Sequence, residues 1–344
     1  MSLFGPLGIA QRALSAFQTA IHVTGQNVAN ANTPGYTRQS ARIQASTPVR
    51  YGSHVLGTGS QVITIQRNVN VFIENQLKRE WSSYGSLNEL QQAMARAEGA
   101  FRELTDNDLS TILNGFFSAL DSASANPEDL AIRRQVIDQA RNFTDTTRRL
   151  RNELTNIRQD LNAAVSANVD QVNTLATDIA TLNLQILRSE NSGDGTSSAN
   201  DLRDQRDQMV RELSEIVSIS TAEQSDGTLN VYIGGEFLVI AGQTNPLSTR
   251  TTTDNGAQIK VPIFENNMSD VSLQGGKLQG LVIARDTKIV SFLSSLDTLV
   301  GEFAFRFNKT HSGGRGLTDF STNTRVNGLS DVKAVLNTQH TGLA

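Results

Sequence analysis

The sequence predicts a mainly α fold with a small β module: a long antiparallel helical bundle or coiled-coil rod joined to a β-hairpin-rich domain. Three observations carry this. No proline or glycine interrupts Glu128 to Asn191, and apolar residues recur there every three or four positions. After Ile219 the apolar period switches to two, around a Gly234-Gly235 pair suited to a hairpin turn. Finally, 344 residues with 38% apolar and only 6% aromatic side chains can bury a real core, but one built mostly of aliphatic seams.

Taken in order, Leu3, Leu7, Ala10, Leu14, Phe17, Ile21 and Val28 draw a 4,3,4,3 seam along a first helix, with Thr24 in the remaining slot. A lone helix of this length is marginal in water, so the seam needs a partner. Two readings fit: a core-packed helix, or an assembly helix that orders only against another chain or another part of this one. Thr33-Pro34-Gly35-Tyr36 ends the helix, because proline disfavours helix at Thr33 and Pro-Gly suits a type II turn. The Asn/Thr/Ser/Gly content between Asn30 and Ser60 suggests a mobile connector, with a short strand or two near Gln61–Gln66.

Helical spacing returns from Val71 through Ile73, Leu77, Trp81, Tyr84, Leu87, Leu90, Met94, Ala97 and Phe101. A shorter helix follows over Leu109–Leu120. A third is expected to start with Asn126 as cap, Pro127 in the first helical position, and Glu128 and Asp129 at the positive end of the dipole. Its seam runs Val136, Phe143, Leu150, Leu154, Ile157, Leu161, Val165, Val169, Val172, Leu175, Ile179, Leu182, Ile186. At 1.5 Å per residue, a helix of roughly 60 residues is about 90 Å long, more than a globular core of this size needs. Two successive steps of four at Leu161–Val165–Val169 form a stutter. Asn173 and Asn183 lie beside the seam, as register-setting residues or, more commonly, water-facing flanks.

The loop Asn191–Ser198 lacks the alternating acidic ligands of a calcium loop. The next helix, Ala199–Val217, interleaves Asp201, Asp204 and Asp207 with Arg203, Arg206 and Arg211. Arg203/Asp207 and Asp207/Arg211 are four apart, which suits exposed pairs along a solvated or laterally contacting face. Thr228–Ile233 and Glu236–Ile240 flank the Gly-Gly turn, and Ala257–Phe264 is strand-like. A final helix runs from Lys277 through Leu278, Leu281, Ile289, Phe292, Leu296, Phe303 and Phe307. The polar, glycine-rich tail from Gly313 holds a short helical piece at Ser330–Asn337.

The chemistry is mostly excluded. There is no cysteine, hence no thiol catalysis, disulfide or cysteine zinc site. His22, His54, His311 and His340 include no pair at helical metal spacing. Thirty basic against 34 acidic side chains, a formal net charge of −4, give no nucleic-acid footprint. No apolar run spans a membrane and no cleaved secretory signal is visible, so sequence physics alone defaults to the cytoplasm. His311, Ser312 and Asp319 fit no nucleophile elbow, and His311 suits the negative end of a helix. No cofactor or metal is expected.

Residues Asn27-Val-Ala-Asn30 and NTPGYTRQ (Asn32–Gln39), with Pro34, Gly35, Tyr36 and Arg38, resemble the start of bacterial flagellar axial proteins. With FFSALDSASANPEDLAIRRQVIDQA (Phe116–Ala140), VNTLATDIATLNLQI (Val172–Ile186), ANDLRDQRDQMVREL (Ala199–Leu213) and FNKTHSGG (Phe307–Gly314), the chain resembles the flagellar hook-associated protein 1 family. That resemblance implies a non-catalytic subunit joining hook to filament, exported through the flagellar type III channel without a cleaved signal, hence extracellular. It implies Leu3, Leu7, Leu14, Phe17, Ile21 and Val28 as the assembly seam, and Asn32–Arg38 as the turn leaving it. Asn200, Asp201, Leu202, Asp204, Arg206 and Asp207 form the helix-packing motif. The implied partners are neighbouring subunits, the hook protein and the second junction protein, with no nucleic acid and no membrane insertion. The family's C-terminal helical segment has no counterpart here, so the expectation is a C-terminally truncated chain. The family's export chaperone is expected to bind only where that segment is present. A secreted coiled-coil adhesin or translocator using the same export route is the alternative. The expected segments are an N-terminal assembly helix and connector (1–60), disordered or swapped before about Leu56 in an isolated monomer; a helical rod (61–220); a β module (221–276); a returning helix (277–312); and a tail or the start of an outer domain (313–344).

Overall fold

The computed structural model describes residues 4–102, 108–191 and 199–311. Leu3 of the seam, the loop after Asn191 and the tail with its short helical piece lie outside the described residues. The chain is mainly α with small antiparallel β pieces, and it divides into two compact units: Met1–Glu89 with Ala163–Leu281, and Leu90–Asn162 with Val282–Ala344. The grouping interleaves segments that the sequence reading kept apart.

In the first unit, α1 (Phe4–Ala29) is followed by β1 (Gln39–Ala45), β2 (Val49–Tyr51), β3 (His54–Leu56) and β4 (Ser60–Arg67). The strand expected near Gln61–Gln66 is β4, and the connector before it holds three more. β1 pairs with β4 from Gln39↔Arg67 to Ala45↔Ser60, with one bulge at Arg42/Ile43, and β2 pairs with β3 beyond it. Composition concealed β1 because its residues are mostly small or polar and backbone bonds carry the ladder. We refer to these strands as the arm.

The start of α2 (Val71–Arg102) and α5 (Asn200–Ile216) approach at backbone distance. A Cβ on Gly85 would lie 2.2 Å from the Glu215 carbonyl oxygen. Gly280 of α6 (Gly276–Ile283) meets the Ser86 carbonyl in the same way, at 2.3 Å. Small residues here let helices touch where ordinary side chains would hold them apart. The β module begins with β5 (Ser220–Glu223), β6 (Leu229–Ile233), β7 (Glu236–Ile240) and β8 (Gln243–Thr244), in the order β5-β6-β7-β8. The hairpin β9 (Leu247–Asp254) and β10 (Ala257–Phe264) completes it. Gly234 and Gly235, at φ +64° and +136°, make the predicted turn. Val231, Ile233, Leu238, Val239, Leu247 and Phe264 are buried, as are Val165, Val169, Val172, Ile179 and Ile186 of α4 (Leu130–Asn191).

The second unit packs the remainder of α2, α3 (Leu109–Ala125), the first half of α4 and α7 (Ile289–His311). Phe303 is its aromatic centre, with ring centroids 4.9 Å from Phe143 and 5.5 Å from Phe116. Leu150, Leu154, Ile157 and Leu161 are all buried along the predicted seam. Two details differ from the sequence reading. Asn126 ends α3, its N–H donating to Ser122 O, whereas Asp129 caps α4 by accepting from Ala131 N at 2.7 Å. The residue before a proline is pushed out of the helical region, so Asn126 closes one helix and the next starts only after the turn. The returning helix is also interrupted: a π-helical turn, Ala284–Lys288, separates α6 from α7. Its buried Arg285 donates to Asn162 Oδ1 at 2.9 Å and to both carboxylate oxygens of Asp286.

Candidate functional site

The two motifs singled out by sequence, about 165 residues apart, meet in the first unit. The turn forms as expected: Tyr36 N donates to Thr33 O, and Gly35 sits at φ +82° in the left-handed region. Gly35 is also pressed against α5, where an added Cβ would lie 2.6 Å from Gln208 Oε1. Asn27, in the last turn of α1, locks the chain that leaves the turn. Its amide donates to Gln39 O at 2.8 Å, and its Oδ1 accepts from Gln39 N and the Tyr36 hydroxyl, both at 2.9 Å.

From α5, Asp204 Oδ2 accepts from Thr37 N at 2.9 Å, and Asn200 donates to Gln39 Oε1 at 3.1 Å and Ile65 O at 2.9 Å. Arg67, the last residue of β4, closes the site. Its Nη1 lies 2.7 Å from both Asp204 Oδ1 and Asp207 Oδ2. Burial opposes the guanidinium charge, but Asp207 and Asp204 outweigh it and raise the Arg67 pKa. Burial, reinforced by Asp201 and Asp204, raises the Tyr36 phenol pKa, so Tyr36 stays a neutral donor. Asp204 and Asp207 are spent on a cation and a backbone amide, and the arrangement is a clasp.

The charges of α5 therefore reach other elements instead of pairing along the helix. Arg211 forks onto Glu74 of α2, with Nη2 3.0 Å from Oε1, and Arg203 onto Glu190 of α4 at 2.9 Å and Glu223 of β5. Arg206 points away from the clasp. It is buried, donates to Asn183 Oδ1 at 3.0 Å and Gly227 O at 2.7 Å, and its Nε has no partner among the described residues. Burial lowers its pKa despite Asp207 and Glu223 nearby. Leu202 is half-buried and Asp201 is exposed, within 3.4 Å of Gln39 Nε2.

Asn173 and Asn183 are not water-facing flanks. Asn183 is fully buried; its amide donates to Leu229 O and Ala241 O, and its Oδ1 accepts from Leu229 N. Asn173 bonds both the N–H and the C=O of Leu247, at 2.7 and 2.8 Å. Each carboxamide reads a backbone peptide as a neighbouring strand would, which holds the β module to α4. An amide beside a seam satisfies a β edge as well as it satisfies water, and periodicity cannot separate the two.

The seam residues are not drawn into this site. Leu7, Leu14, Phe17, Ile21 and Val28 are between 60 and 72% exposed, while Ala16 and Val23 are buried. Asn32, Pro34 and Arg38 are exposed as well. Asn27 and Gln39 belong to the motifs that carried the family resemblance but were given no role there, and sequence reasoning missed Arg67, which completes the clasp; the signal available was that the acids of α5 outnumber any partners on their own helix.

The family model described as the flagellar hook-associated protein FlgK helical domain matches residues 94–324. The chain belongs to this FlgK family. A second model, for flagella basal body rod protein, matches residues 7–37, which cover α1 and the turn. Flagellar hook-associated protein 1 of Escherichia coli (strain K12) is 30% identical over 312 residues, 89% of this chain and 56% of that one. Its namesake from Bacillus subtilis (strain 168) is 28% identical over 347 residues, 91% of this chain and 68% of that one. The chain thus spans a little over half the length of the Escherichia coli relative. The solved structure of the flagellar hook junction protein FlgK from Burkholderia pseudomallei shares the fold, with a TM-score of 0.61 at 23% identity over 69% of this chain and 44% of that one. Among the described residues no cluster of His, Cys, Asp or Glu suits a metal, and no helix is long and apolar enough to cross a membrane.

Proposed function

We propose that this FlgK-family chain is a structural subunit of the bacterial flagellum that joins hook to filament, without catalysis. The observation that carries the reading is the clasp: the turn motif and the α5 motif are spent on fixing the arm to the helical unit, leaving the apolar seam of α1 outward. A structural joint needs such a braced base under an adhesive face. Neighbouring copies, the hook protein and the second hook–filament junction protein are the proposed partners. Export through the type III channel places the subunit outside the cell. In a lone copy, with the seam uncovered, α1 opens more readily than the rest of its unit; strong amide protection across Leu7–Val28 in a monomer contradicts that.

A deletion strain tests the junction role. Loss of the full gene is expected to give cells that shed flagellin into the medium and carry no filaments, restored by the intact gene. Motile cells with normal filaments overturn the reading.

A further inference from the structure

Charge is distributed unevenly in a way the net value hides. Residues 1–73 contain five arginines (Arg12, Arg38, Arg42, Arg50, Arg67) and not one carboxylate. The remainder of the first unit, residues 74–89 and 163–281, carries nine basic against eighteen acidic side chains, whereas the second unit balances sixteen against sixteen. Two of the five arginines are committed: Arg67 to the clasp, and Arg12 to the Thr58 carbonyl. Arg38, just before the arm, and Arg42 and Arg50 on it are exposed and bridge to no carboxylate among the described residues. Beside Arg50, Val49, Val55 and Leu56 of the β2–β3 ribbon stand 52 to 67% exposed. A two-stranded ribbon with nothing covering it is marginal in water. On the acidic side, Glu80, Asp170, Glu212 and Glu265 are exposed and also bridge to no basic side chain among the described residues.

We propose that the arm, through Arg38, Arg42 and Arg50 with Val49, Val55 and Leu56, docks on the acidic surface of the first unit of a second copy of this chain. Opposite charge on two different segments of one unit favours a heterologous, head-to-tail contact, the kind that builds rings or helical arrays. It disfavours an isologous one, which sets arm against arm and cation against cation. Both potentials belong to one chain, so each copy offers the next what it needs. The inference rests on the junction reading and assigns the surface that reading leaves open.

The test is sedimentation velocity over a concentration and salt series on the chain and on the triple variant Arg38→Glu, Arg42→Glu, Arg50→Glu. The chain is expected to self-associate at low salt and to lose that association as salt shortens the Debye length from about 30 Å at 0.01 M to about 8 Å at 0.15 M. The triple variant is expected to associate at least about tenfold more weakly, with unchanged circular dichroism. Because the chain has no cysteine, Val55→Cys accepts a single photo-crosslinker. Its intermolecular products are expected within residues 74–89 and 163–281. A monomer at every concentration, association indifferent to salt and to charge reversal, or crosslinks to the second unit each overturn the proposal. So does a chain that stays monomeric but binds vesicles of anionic phospholipid. Salt-indifferent association that survives reversal removes the arm from the interface but leaves the junction role standing, since the deletion phenotype reads that role separately.

Discussion

Replacing Arg67 by alanine removes the one cation shared by two carboxylates in the clasp. Asp204 has a side chain only 9% exposed, and without Arg67 it retains a single donor, the Thr37 N–H. Breaking a buried pair from one side typically costs about 3–5 kcal/mol, because a charge is left with neither water nor partner. Asp207 is 27% exposed and recovers hydration, so its share falls toward the 0–1 kcal/mol or so of a surface pair. Asp204 also turns partly toward solvent as the arm loosens, which brings the expected loss to about 2–4 kcal/mol. The effect is local, so hydrogen exchange reads it better than a global melt, which two units need not undergo as one transition. The Thr37 amide is expected to exchange about thirty- to a thousandfold faster, at about 1.4 kcal/mol per tenfold. Adding Asp204→Asn to Arg67→Ala removes the stranded charge while keeping an acceptor for Thr37, and should restore much of the protection. Loss of less than about 0.5 kcal/mol in the single variant, or no recovery in the double, refutes the clasp as a buried charge network.

Three further expectations follow from the same geometry. In α2, Gly85→Ala meets the Glu215 carbonyl at 2.2 Å and should destabilise by about 1–3 kcal/mol, while Gly99→Ala enters open space and should stabilise by up to about 1 kcal/mol; urea midpoints of the pair decide, and a stabilising Gly85→Ala contradicts the close approach. Asn183→Ala strands the backbone of Leu229 and the buried Arg206 together and should lose about 3–5 kcal/mol in urea unfolding followed by the Tyr232 signal; Asn173→Ala, half-buried and with one peptide to satisfy, should lose less. Asp226 accepts from the Thr228 hydroxyl and N–H, which lowers its pKa below the ordinary aspartate value. The depressed value means its stabilisation is complete above the unfolded pKa of about 4 and disappears as pH falls through the folded one, so an NMR titration should show the β5–β6 turn loosening only in that acid window and Asp226→Asn should abolish the step.

The helices were legible because one face of each repeats a simple rule. The whole run from Phe143 to Ile186 lies buried where spacing put it. The Gly-Gly hairpin was legible for a similar reason, since only glycine tolerates those angles cheaply. What escaped was everything held by polar side chains across long sequence separations. Arg67 lies 137 residues from Asp204, and nothing local marks it as the partner. Of the arm, β4 was legible in the alternation of Gln61–Gln66, whereas its partner β1 escaped because its residues are mostly polar and backbone pairing holds it. The π turn escaped because one extra residue per turn leaves the apolar residues on nearly the same side. The seam of α1 fits a core or an assembly face equally well in the sequence, and only the structure shows it exposed, with Ala16 and Val23 doing the inward packing.

The two asparagines of α4 set a dimension as well as a fastening. Asn173 addresses the backbone of Leu247 and Asn183 that of Leu229 and Ala241, from positions ten apart on a rigid screw. Inserting or deleting a single residue between them turns everything beyond by about 100° and shifts it about 1.5 Å, so one carboxamide must miss its target. That stretch of helix is free to drift in composition on its outer side but is bound in length. Homologous helices should therefore differ there by substitution and never by insertion, much as a key is recut along its teeth without changing the spacing of the wards.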